Sequence, residues 1–89
     1  MIAVAPAQTV FIDTNVWLYA FIVGQDPQKT VRARYLIQTA STIIVSTQVI
    51  NEVCVQLMKR EHYTEDQTRA VISDFYHRYT VIELDQPIL

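Results

Sequence analysis

A chain of 89 residues with a formal net charge of −2 and 51% hydrophobic residues is one domain or part of one. That apolar content excludes a disordered chain and leaves apolar surface for a partner or for further parts of a fold, while the acidic balance excludes recruitment of nucleic acid by global charge. A single cysteine, Cys54, excludes an intrachain disulfide framework and points to the cytoplasm; no apolar run reaches spanning length, and no basic segment precedes a hydrophobic one at the N-terminus.

In chain order, Val10-Phe11-Ile12 is β-branched and aromatic enough for a buried strand, and it runs into Asp13-Thr14-Asn15 before hydrophobicity resumes at Val16. The pattern predicts strand, polar tip, helix, with the helix over about Asn15 to Ile22 and Gly24 as its C-terminal cap. Trp17 or Leu18 belongs to the core by default, with Tyr19 and Phe21 as core or contact residues. Asp26-Pro27 opens a second helix as N-cap and first helical residue, and Ala33, Leu36, Ile37 and Ala40 mark its buried face. Ile43-Ile44-Val45 is a second strand, with Ser46 or Thr47 capping a helix that runs to about Arg60 and buries Val49, Ile50, Val53, Cys54 and Leu57. Thr64-Glu65-Asp66-Gln67 fits a capping box for a fourth helix burying Val71, Ile72, Phe75, Tyr76 and Tyr79. Thr80 to Leu84 is a third strand, and Asp85-Gln86-Pro87 starts another helix. The order β-α-α-β-α-α-β predicts a parallel sheet with right-handed crossovers.

Two carboxylates stand just beyond strand ends. Asp13 follows the first strand, where open α/β sheets place their chemistry, and a carboxylate held there suits a hard divalent cation. A plain N-cap explains it equally well. Glu52 lies early in the third helix, in a polar stripe with Gln48, Gln56 and Lys59, where the helix dipole and solvent also account for it. If the two strands are parallel neighbours, the acids converge. Asn15 reads either as a capping residue or as a hydrogen-bond partner orienting Asp13. Cys54 reads as a buried, inert thiol. His62 and His77 lack the short spacing of a metal pair, and Lys59-Arg60 offset the dipole at a helix end, with phosphate contact as the lesser alternative.

With an apolar strand ending in Asp13-Thr14-Asn15 and a strand-Ser-x-x-x-x-x-Glu segment from Ser46 to Glu52, the chain resembles the PIN-domain ribonucleases, most closely the VapC-type toxins of toxin–antitoxin pairs. The resemblance implies a three-layer α/β/α fold with a parallel sheet ordered third, second, first, fourth, fifth strand. It also implies that residues 1–89 are a single partial domain, truncated after the third strand, with further acids in the remainder. The activity implied is metal-dependent hydrolysis of RNA phosphodiesters, weak or absent in this short chain. Mg2+ or Mn2+ is the implied cofactor, with Asp13 and Glu52 as catalytic and metal-binding residues and Thr14 and Asn15 in support. The implied partners are RNA, a cognate antitoxin and a second copy of the chain, since the first strand is left as an apolar sheet edge. The competing reading is a non-catalytic PIN-like module that binds an antitoxin or itself. A phosphatase of the haloacid-dehalogenase type is disfavoured, because position 15 is Asn where that chemistry wants a second Asp.

Overall fold

The computed structural model describes residues 9–22 and 24–83. Three strands, β1 (Thr9–Phe11), β2 (Thr42–Ser46) and β3 (Thr80–Ile82), form a parallel sheet in the order β1-β2-β3. The helices α1 (Thr14–Phe21) and α2 (Pro27–Thr39) connect the first pair of strands, and α3 (Thr47–Glu61) and α4 (Glu65–Arg78) the second. The α/β class and the parallel sheet are those expected from the residue pattern, with β1 at an edge. The helix start expected at Asp85-Gln86-Pro87 lies outside the described residues. No described helix is long and apolar enough to cross a membrane.

Local chemistry sets the helix boundaries. The Asp26 carboxylate accepts from the Lys29 amide at 3.2 Å with Pro27 in the first turn, and the Ser46 hydroxyl accepts from the Val49 amide at 3.1 Å. Thr64 and Gln67 form the reciprocal capping box at 3.1 and 2.8 Å. Helix α1 ends at Phe21 with Ile22, not the expected Gly24, as its C-cap, and Gly24 lies in the following turn at a φ of 98°, a left-handed conformation that side chains resist. At the end of α3 the same conformation falls on His62, at a φ of 54°.

One face of the sheet carries the core. Ile12, Ile43 and Val45 pack with Trp17 and Leu18 of α1, the Val49-Ile50-Val53-Cys54-Leu57 face of α3, and Phe75 of α4 in a single cluster. Both crossovers step the same way across the sheet, so a common hand puts all four helices on this face. Among the described residues the helices therefore form a single layer on one face of the sheet, and no described helix covers the other face of the expected three-layer arrangement. Side chains alternate along a strand, so Phe11, Ile44 and Ile82 point to the opposite face, where Phe11 is 48% and Ile82 37% exposed.

Two buried faces are narrower than the periodicity predicts. On α2, Ala33 and Thr30 are buried while Leu36, Ile37 and Ala40 are only partly covered, because α2 packs chiefly against α1 and lies outside it. On α4, Phe75 and Thr68 are buried, Val71 and Tyr79 half-buried, and Ile72 and Tyr76 exposed. That helix packs chiefly against α3 and β3, and α1 reaches its Phe75 through the rings of Trp17 and Phe21. Periodicity identifies the inward side of a helix, whereas the width of the buried stripe depends on how many neighbours flank it.

Candidate metal and nuclease site

Parallel pairing brings the carboxyl ends of β1 and β2 to the same end of the sheet, with Val10 opposite Ile43 and Phe11 opposite Ile44. The Ile12 amide extends this pairing by donating to the Ile44 carbonyl at 3.4 Å. Asp13 follows Ile12 at the junction with α1, and Ser46 closes β2 as the N-cap of α3. The backbone before Asp13 is tied to the core by the indole N–H of buried Trp17, which donates to the Ile12 carbonyl at 3.2 Å.

Beside this junction lies an open groove of about 710 Å³. Asp13, Thr14 and Asn15 line one part of it, and Ser46, Gln48, Asn51, Glu52, Gln56 and Arg60 line the rest together with Phe11, Leu18, Val49 and Val55. The Thr14 hydroxyl donates to Glu52 Oε2 at 2.8 Å, and the Gln48 amide donates to Glu52 Oε1 at 3.3 Å. Both oxygens of Glu52 are thereby oriented, one by the residue next to Asp13 and the other from one turn earlier in α3. Asp13 occupies the N-cap position of α1, yet its side chain makes no cap hydrogen bond and accepts none from any described residue. Capping therefore does not account for this carboxylate. Asn15 lines the groove beside Asp13 without a hydrogen bond to it.

The donor set suits a hard divalent cation. Mg2+ and Mn2+ favour carboxylate, carbonyl and water oxygens, and Mg2+ is commonly held by one or two carboxylates with the rest of its shell as water. An unengaged carboxylate at Asp13 and an oriented one at Glu52 on the same groove match that requirement. Among the described residues no group of three or more His, Cys, Asp or Glu side chains is placed to hold a metal. Two carboxylates with water bind such an ion weakly.

Other reactive side chains lie elsewhere. Cys54 is 4% exposed in the core, and burial pushes its thiol pKa up, which keeps it protonated and unreactive. His62 is the C-cap of α3, and His77 Nδ1 lies 2.8 Å from the Ser73 carbonyl within α4. Gln48 and Arg60 are the groove residues whose part is not evident from composition. Their signal in the sequence is the four-residue spacing of Gln48, Glu52, Gln56 and Arg60 along one helix, which places all four on the same side.

A parallel α/β sheet with a carboxylate beyond each of two adjacent strand ends defines an enzyme-like site of the kind found where open sheets bind ligands. The chain belongs to the PIN domain family, which it matches over residues 10–89. PIN domains have in general a nuclease-type function and depend on divalent metal. No curated protein and no solved structure gives a significant match to this chain.

Proposed function

We propose that this chain carries the Asp13–Glu52 part of a metal-dependent ribonuclease site of the VapC type. The observation that supports this most directly is the Thr14 to Glu52 hydrogen bond at 2.8 Å, which joins the end of β1 to α3 beside a carboxylate free to act as a ligand. Asp13 and Glu52 would hold Mg2+ or Mn2+. The bound ion supplies charge stabilisation at phosphate and lowers the pKa of a coordinated water. Thr14 and Gln48 fix the direction of Glu52, so that it need not reorganise as charge develops. Ser46 holds the start of α3, and with it the register of Glu52, through its cap on Val49.

In this reading Asp13 and Glu52 are two members of the acid set that holds the ion. The test is cleavage of single-stranded RNA by the full-length protein. Cleavage should require Mg2+ or Mn2+, and Asp13→Asn should abolish it. Cleavage that survives Asp13→Asn, or that proceeds undiminished in EDTA, removes the proposal.

A second reading draws on the sheet face opposite the helices. Phe11 and Ile82 are exposed there, and β1 is an unpaired edge among the described strands, features of a surface that takes a protein partner. As a non-catalytic module the chain would bind a second copy of itself or an antitoxin through that surface. Light scattering at high micromolar concentration tests the self-association, and a stable monomer counts against it.

A further inference from the structure

We propose that Arg60 is a substrate-binding residue of the groove, contacting a backbone phosphate of single-stranded RNA a few nucleotides away from the bond held at Asp13 and Glu52. The proposal rests on the ribonuclease reading above and extends it. Arg60 lines the same groove as the two acids and is the only cation among its described lining residues. It makes no hydrogen bond or ion pair with any described residue, so its charge is available to a ligand. Lys59, its neighbour in sequence, does not line the groove.

The geometry of α3 sets the separation. Glu52, Gln56 and Arg60 follow at four-residue intervals on one side of the helix, and the eight residues from Glu52 to Arg60 span about 12 Å along the axis. Strand ends and acids occupy one part of the groove and a guanidinium the other, with amide side chains between them. An RNA strand crossing this surface meets two carboxylates and, at the C-terminal end of α3, the negative pole of a helix. The chain as a whole is acidic, with a formal net charge of −2, and offers no compensating field. A guanidinium at that end turns a repulsive stretch into a phosphate contact, and its planar fork of donors matches phosphate oxygens. Dipole compensation alone does not explain the placement, since Lys59 in the same last turn supplies an equivalent charge off the groove.

Binding of a short fluorescent single-stranded oligoribonucleotide, followed by anisotropy across a salt series, decides the matter. The protein is the full chain carrying Asp13→Asn, which prevents turnover. Arg60→Ala should weaken binding by roughly fivefold or more, as expected for loss of a charge-assisted hydrogen bond. It should also reduce the slope of log affinity against log salt by about 0.7, the value for one phosphate contact on a single strand. Lys59→Ala removes the same net charge and should change affinity less than about twofold, while Arg60→Lys should recover part of the loss. Equal effects of Arg60→Ala and Lys59→Ala would overturn the proposal while leaving the ribonuclease reading intact. No detectable RNA binding by the Asp13→Asn chain itself would count against both.

Discussion

Replacing Trp17 by phenylalanine tests the link between the core and the position of Asp13. Trp17 is 2% exposed, its indole N–H donates to the Ile12 carbonyl at 3.2 Å, and its ring meets Phe75 edge-on at 4.8 Å and Tyr79 at 5.0 Å. Phenylalanine keeps an aromatic ring but takes the donor from the Ile12 carbonyl, a loss of roughly 1–3 kcal/mol for a buried group. The smaller ring also leaves a void in a packed core, adding about 1–2 kcal/mol. The sum is about 2–5 kcal/mol, a large share of the stability of a small domain. At roughly 4–8 °C per kcal/mol for a domain of this size, the midpoint of thermal unfolding should fall by at least about 8 °C. Far-UV circular dichroism measures it without needing the tryptophan as a probe. A fall under about 4 °C, equivalent to less than about 1 kcal/mol, would refute the view that the indole anchors the end of β1.

Three further perturbations follow from particular contacts. Thr14→Val removes the hydroxyl that holds Glu52 Oε2, and should lower metal-dependent cleavage by the full-length protein at least about tenfold in kcat while moving the unfolding midpoint little, since the pair is exposed; unchanged kcat would separate Thr14 from the site. His62 adopts a left-handed conformation at a φ of 54°, so His62→Gly should raise stability by up to about 1 kcal/mol, read as a higher denaturant midpoint, whereas a loss would show that the imidazole makes a compensating contact. Burial pushes the Cys54 thiol above its ordinary value of 9.0, so the folded chain retains a proton that the unfolded chain loses. The stability this confers is complete below about pH 9 and is lost as pH rises through the folded value, so Cys54→Ala should flatten the decline in melting temperature above pH 9; an unaltered profile would assign the decline to other groups, Tyr79 among them.

Local rules determined what was legible in the residues alone. The Asp26-Pro27 start, the Ser46 cap, the Thr64-Gln67 box and the inward face of α3 each depend on groups within about one turn of one another, so a short stretch of sequence contains the whole interaction. The order of elements follows from those pieces, and the parallel sheet follows from the order. The sequence also placed Asp13 and Glu52 just beyond strand ends. What it left open was whether Asp13 caps its helix, what holds Glu52, which side chains share their groove, and how much of α2 and α4 is covered. The structure places Thr14 on Glu52 across 38 positions of sequence and leaves the Asp13 carboxylate unengaged. It brings Arg60 onto the same groove and leaves Ile72 and Tyr76 exposed although they share a helix with buried Phe75. These outcomes are set by which elements become neighbours once the sheet has formed. A periodic pattern shows the side a residue faces, but a hydrogen bond or a burial depends on the atoms that arrive from elsewhere in the chain.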